Sequence, residues 1–156
     1  MPSKRDQDAE DFVLQVLQEY FSAVACERPG GICNDCILTL PHGGKIACEV
    51  KTDWKAAETQ NLYFETRNTR LNTPSGLTAT TADFWAQYVP HKQYILLTDP
   101  KALLWFFEVH KTDYDSPIHI TRPDGGDGNS QGFKVKREYM ETRTWVTLID
   151  VSGRQQ

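Results

Sequence analysis

Two short runs around a turn constrain this chain more than any other stretch of it. Cys36, Leu38 and Leu40 alternate with Asp35, Ile37 and Thr39, and beyond Pro41-His42-Gly43-Gly44 the pattern resumes. There Ile46, Cys48 and Val50 alternate with Ala47, Glu49 and Lys51. A period of two on both arms predicts a β-hairpin. Placing Leu40 opposite Gly44 leaves Pro41-His42-Gly43 as the turn and gathers the apolar set on one face. The same register sets Asp35 opposite Glu49, with Lys51 on their face. A slip of one residue would send the two acids to opposite faces. Charges meeting at one end of a sheet are costly without a reason, and a divalent cation beside a phosphate supplies one. An exposed strand edge of mixed charge is the alternative.

The chain's 156 residues suit a single domain, 1–156, with its core at about 8–110 and a C-terminal extension at about 111–156. No run of 18 apolar residues occurs, so no membrane span is expected. The N-terminus lacks the apolar stretch of a signal peptide. Cys26, Cys33, Cys36 and Cys48 are therefore read as thiols of a reducing, cytoplasmic compartment. A net charge of −4 gives no global attraction to nucleic acid, but local basic groups stand at Lys45, Lys51, Lys55, Arg67 and Arg70, then at Lys134, Lys136 and Arg137.

Around the hairpin the pattern predicts an α/β layout with a mixed central sheet flanked by helices. Residues from about 8 to 25 read as a helix whose stripe is Phe12, Val13, Val16, Leu17, Tyr20, Phe21 and Val24. Glu10 lies roughly 70° from the centre of that stripe and is the acid best placed to lean over its edge. Asn61–Arg67 reads as a third strand, with Glu65 either joining the acidic end or pairing across strands. A second helix is expected over Thr80–Val89, ended by Pro90. Gln93–Thr98 reads as a strand covered on both faces, and Leu103–Val109 as strand or helix. Gly132–Lys136 and Thr144–Val151 read as late strands. Asp124–Asn129 is a hairpin tip, since it lacks the ligand spacing of a calcium loop.

Asp35, then Glu49-Val50-Lys51, with Glu10 on a preceding helix, resembles the PD-(D/E)XK nuclease superfamily. Asn61–Arg67, Pro74-Ser75-Gly76-Leu77 and Thr80-Thr81-Ala82-Asp83-Phe84-Trp85 are similar to segments of small phage nucleases and archaeal-type Holliday junction resolvases. Asn34 stands where the motif has proline. The resemblance covers about residues 8 to 110. It implies a restriction-endonuclease-like core, αβββαβ, and a Mg²⁺-dependent DNA endonuclease that hydrolyses phosphodiester bonds. Branched DNA is the first substrate it implies, with duplex or single-stranded DNA as the alternative. A homodimer and a place in DNA recombination or repair, phage-encoded or cellular, come with it.

The roles implied are catalysis by Glu10, Asp35, Glu49 and Lys51. Metal ligation falls to Asp35, Glu49 and the Val50 carbonyl, with Glu10 on a second metal or its waters. Two hard carboxylates suit Mg²⁺, with Mn²⁺ as substitute; Ca²⁺ is expected to support binding without efficient cleavage. Lys51 would orient water and stabilise charge in the transition state. Lys55, Arg67, Arg70, Ser75 and Thr80 are candidates for DNA backbone contacts, although helix capping is the preferred reading of Ser75 and Thr80. A zinc-stabilised or non-catalytic binding module is the competing reading. The Cys-x-x-Cys at Cys33 and Cys36 has no second pair to support it, and free cysteine on an apolar face behaves as a small hydrophobe.

Overall fold

The computed structural model of the chain describes residues 2–29, 35–111, 118–120 and 129–154. The glycine-rich run at Asp124, together with Asn34 and Cys33, lies outside them.

Helix α1 spans Lys4–Tyr20, starting earlier than the apolar stripe indicated, because Ser3 caps it. The Ser3 hydroxyl accepts from Asp6 N at 3.1 Å, while Asp6 Oδ2 accepts from Ser3 N at 3.2 Å. Ser22, with φ of 53°, turns the chain out of the helix. Val24, expected on the helical stripe, is thereby left exposed.

Strands β1 (Ala25–Glu27), β2 (Cys36–Thr39) and β3 (Lys45–Thr52) follow as an antiparallel meander. Pairing of Cys36 with Cys48 and of Leu38 with Ile46 is the register the alternation demanded. The Leu40 amide donates to Gly44 O at 2.8 Å and closes the turn, with Gly43 at φ of 93°. The short helix α2 (Ala56–Thr59) leads into β4 (Asn61–Asn68) and β5 (Thr73–Pro74). A 3-10 turn over Gly76–Thr78 then precedes β6 (Phe84–Val89) and β7 (Tyr94–Thr98). Helix α3 (Pro100–His110), β8 (Ile118–Ile120), β9 (Ser130–Lys136), α4 (Arg137–Glu141) and β10 (Thr147–Asp150) complete the order.

Among the described residues the result is a mixed α/β protein with two sheets and four helices. The larger sheet has the order β1-β2-β3-β6-β7-β10, antiparallel except for the parallel pair β3–β6; the smaller is antiparallel, β5-β4-β9-β8. Among the described residues no helix is long and apolar enough to cross a membrane.

Three elements differ from the expected order. The segment expected as a helix over Thr80–Val89 is strand β6. A helix there would bury one stripe, whereas residues 85–89 are all buried because β6 runs between β3 and β7 and is covered on both faces. Asn61–Arg67 does form a strand, but in the second sheet. The third strand of the central meander is Ala25–Glu27, too short to show a period. The opening of a helix and three strands is therefore made by other residues than expected, and the crossover from β3 to β6 carries α2, β4 and β5, while β8 and β9 of the second sheet follow α3.

Each face of the larger sheet has its own core. Helix α1 packs Phe12, Val13, Val16 and Leu17 on Cys36, Leu38, Cys48, Val50, Ala86 and Tyr88. Behind the sheet, Trp85, Val89 and Leu96 join α3 through Leu103 and Phe107, and join the apolar side of the second sheet through Leu62, Phe64, Phe133 and Val135. Helix α3 resolves the ambiguity at Leu103–Val109: Asp99 Oδ1 accepts from Lys101 N at 2.8 Å, and Pro100 occupies the first turn. The side of β3 that carries Ala47, Glu49 and Lys51 faces away from α1, towards the second sheet.

Candidate active site

The hairpin register places the acids. Backbone pairing of β2 with β3 runs to Cys36 and Cys48, and the next residues outward on one face are Asp35 and Glu49. At the ladder's end the Asp35 carboxylate takes over the pairing: its Oδ2 accepts from Val50 N at 2.6 Å, while Asp35 N donates to Cys48 O at 3.0 Å. Asp35 is thus anchored to the strand that carries Glu49 and Lys51. Its Oδ1 takes no hydrogen bond among the described residues.

Glu49 is only 6% exposed, because β6 lies beside it and sets Trp85 as its parallel neighbour. Lys51 Nζ approaches Glu49 Oε1 to 3.0 Å, and Thr80 Oγ1 donates to Oε2 at 3.5 Å. Burial pushes the Glu49 pKa up, and the Asp35 charge adds to this against the pull of Lys51. Burial works to lower the Lys51 pKa, but Glu49, Asp35 and Glu65 outweigh it, and the ammonium titrates above its ordinary 10.5. Lys51 is therefore cationic at neutral pH.

Glu10 lies on α1, near enough for the charges of Asp35 and Lys51 to act on it. It is half-buried, and its pKa is raised first by burial and then by the charge of Asp35, while Arg28 and Lys51 act in the opposite sense. Its neighbours Asp8 and Asp11 are exposed and paired with Lys4 and Arg28. Helix geometry thus singles out Glu10 from its acidic neighbours, as the stripe argument indicated.

Among the described residues, no three His, Cys, Asp or Glu side chains stand close enough to hold a metal ion between them. The donors at the strand end are thus two carboxylates, one with a free oxygen and one held by an ammonium, and Glu10 stands apart. Such a set fits Mg²⁺, which is commonly bound by one or two carboxylates and completed by water and phosphate oxygens. Cys36 and Cys48 lie on the opposite face of the sheet. Both are buried under α1, and a thiol hydrogen bond with Cys48 raises the Cys36 pKa.

Just past the end of β3, Asp53 begins a buried polar network that the sequence reading missed. Asp53 accepts from Ala56 N at 3.1 Å, from Tyr63 N at 2.9 Å and from Gln87 Nε2 at 3.1 Å. Gln87 also donates to Tyr63 O at 3.1 Å and accepts from Trp85 Nε1 at 2.9 Å. Burial raises the Asp53 pKa, and the bonds from Tyr63, Ala56 and Gln87 counter it. This network joins β3, α2, β4 and β6, and so ties the second sheet to the site. The signal was present in the alternation Glu49, Lys51, Asp53; Gln87 was hidden in a segment read as helix.

A cleft of about 570 Å³ opens beside Lys51, between the end of β3 and the polar side of the second sheet. Lys55 lines it, as do Glu65, Tyr63 and Lys134. Glu65 sits where the β4–β9 register shifts, at a bulge held between two glycines. A Cβ on Gly76 would stand 2.2 Å from Glu65 O, and one on Gly132 would stand 2.1 Å from Phe64 O.

The remaining backbone-contact candidates scatter. Thr80 touches Glu49, as above. Ser75 precedes Gly76 and has a buried hydroxyl without a hydrogen-bond partner among the described residues. Arg67 hydrogen-bonds Asn72 and lines a separate shallow pocket with Glu108 and Lys111. Arg70 is exposed beyond the end of β4. Comparison with protein-family models, curated proteins and solved structures finds no match for this chain.

Proposed function

We propose that this chain is a Mg²⁺-dependent DNA endonuclease of the PD-(D/E)XK type, with branched DNA as its first substrate. The observation that carries the reading is the strand end itself. The Val50 amide holds the Asp35 carboxylate at 2.6 Å, close enough for its charge to act on Glu49, and Lys51 closes on Glu49 at 3.0 Å. Keeping a buried carboxylate, a second carboxylate and an ammonium together is costly for a fold with no use for them. The order of the larger sheet supports the same reading: a helix, a three-stranded meander, a crossover, then a strand parallel to the third. A restriction-endonuclease-like core has a similar order, with α2, β4 and β5 here occupying the crossover.

Asp35 Oδ1 and Glu49 are the ligands this site offers to Mg²⁺, with the Val50 carbonyl as a backbone donor and Glu10 acting through water. When bound, the ion supplies a water of lowered pKa and charge neutralisation at the phosphorus. The protein's own groups do the rest. Asp35 is fixed by the Val50 amide, so its free oxygen keeps one direction. Lys51, cationic at neutral pH, cannot be the base; it donates hydrogen bonds to water or to a phosphate oxygen and stabilises developing charge. Glu49 holds that ammonium in place. Thr80 in turn orients Glu49.

A branch-cutting enzyme must act on two strands symmetrically, which calls for two copies of the chain. The test is incubation with a four-way junction, matched duplex and matched single strand, each with Mg²⁺, Mn²⁺, Ca²⁺ or chelator. Cleavage with Mg²⁺ and Mn²⁺ alone, fastest on the junction, is the expected result. Equal cleavage of the duplex removes the branched-DNA assignment, and no cleavage of any substrate removes the enzyme.

A further inference from the structure

We propose that the cleft between the two sheets holds a single nucleic-acid strand beside Lys51, with Lys55 and Lys134 gripping its phosphates. The proposal rests on the nuclease reading and narrows its substrate to DNA with an unpaired segment at the cut. Four observations carry it.

The cleft is continuous with the strand end, because Lys51 lines it along with Asp53, Lys55, Asn61, Tyr63 and Lys134. Its size comes next. About 570 Å³ is the volume of a small-molecule pocket and suits one or two nucleotides. A duplex, with a groove of about 12 Å between its strands, is bulkier than that volume.

Charge is the third observation. The chain carries a net −4, yet this cleft presents three lysines. Lys51 is engaged by Glu49, whereas Lys55 and Lys134 are exposed and make no ion pair among the described residues. Two acids also line it: Asp53 spends its carboxylate on three internal hydrogen bonds, and the charge of Glu65 acts on Lys51. Two uncommitted cations therefore flank a slot that leads to the Glu49–Lys51 pair.

The walls are the fourth. Lys134 lies directly across the ladder from Tyr63, so a cation and an aromatic ring share one side. The Tyr63 hydroxyl is fixed against Ser130 Oγ at 2.9 Å, which sets the ring's orientation. Alternating cations and aromatic rings along a groove is the usual chemistry of single-strand binding, in which phosphates are neutralised and bases stack.

Fluorescence anisotropy in chelator, where no cutting occurs, tests this with a labelled single-stranded oligonucleotide and its duplex. Wild type is compared with Lys55→Ala, Lys134→Ala, the double variant, and Lys111→Ala as a control from the separate pocket. Both cleft lysines are exposed, so the fold tolerates their loss. The expected result is single-strand binding at least about tenfold tighter than duplex. Each cleft variant should weaken it several-fold, and the double variant should flatten the log–log salt dependence by about 1.4. If duplex binds as well as single strand, and the cleft variants lose no more affinity than Lys111→Ala, the cleft assignment is wrong while Mg²⁺-dependent cutting still stands. If wild type neither binds nor cuts any DNA, the nuclease reading falls and takes the cleft with it.

Discussion

Replacing Lys51 by methionine keeps most of the side chain's bulk and removes the counter-charge of Glu49. The two groups stand 3.0 Å apart, with side chains 43% and 8% exposed for Lys51 and Glu49. At an effective dielectric of about 20, unit charges at that distance attract by roughly 5 kcal/mol. Exposure of the ammonium lets water and salt screen much of this, which leaves about 1–2 kcal/mol of net coupling. The single variant also strands a buried carboxylate, so Lys51→Met is expected to cost about 2–3 kcal/mol in the metal-free protein near neutral pH. Glu49→Gln is expected to cost less, and the double variant less than Lys51→Met alone. Urea unfolding of the four proteins in chelator gives the double-mutant cycle, provided the slopes agree. The pH dependence has a defined sign. Glu49 titrates above its ordinary 4.5 in the fold, and losing Lys51 removes a charge that holds it down. The penalty of Lys51→Met must therefore shrink as pH falls towards that raised pKa and the stranded carboxyl takes up its proton. A coupling below about 0.3 kcal/mol, or a penalty unchanged at acid pH, would refute the argument.

Asp53→Ala leaves the Tyr63 and Ala56 amides and the Gln87 side chain without their buried acceptor, and is expected to cost about 2–4 kcal/mol by urea unfolding. Gly132→Ala drives a methyl to 2.1 Å from Phe64 O and must push β9 from β4; a loss of about 2–4 kcal/mol is expected, read as a drop in melting temperature. Glu10, Glu49 and Asp53 all titrate above their ordinary values, 4.5 for the glutamates and 3.8 for the aspartate. The fold then holds their protons more tightly than the unfolded chain does, so their contribution to stability falls as pH rises from those values through the raised ones. Melting temperatures in chelator should show that fall, and added Mg²⁺ should offset it where the carboxylates are ionised.

The hairpin was legible because a period of two admits only alternate registers, and Leu40, Pro41, Gly43 and Gly44 chose among them. Once that register was set, the meeting of Asp35, Glu49 and Lys51 followed without any knowledge of the rest of the fold. Glu10 was legible for a similar reason, since helical angles separate it from Asp8 and Asp11. Strand β6 was not. Phe84–Val89 is buried on both faces and so has no period to read, and its aromatic side chains fit a helix as well as a strand. Alternation in Asn61–Arg67 identified a strand but carried nothing about which sheet it would join. The cleft lysines show the same limit: Lys55 and Lys134 lie far apart in the chain and line one cleft only because Asn61–Asn68 pairs with Ser130–Lys136. Arg67, expected to contact the DNA backbone, lines another pocket beyond the bulge after Glu65.

The central claim is that Asp35, Glu49 and Lys51 form one hydrolytic site. Its most direct test is the Mg²⁺-dependent cleavage rate of wild type beside Lys51→Ala and Glu49→Gln, purified identically and shown to be folded. The account predicts cutting by wild type and a loss of about a hundredfold or more in each variant. Undiminished cleavage by either variant, or none by wild type, would contradict it.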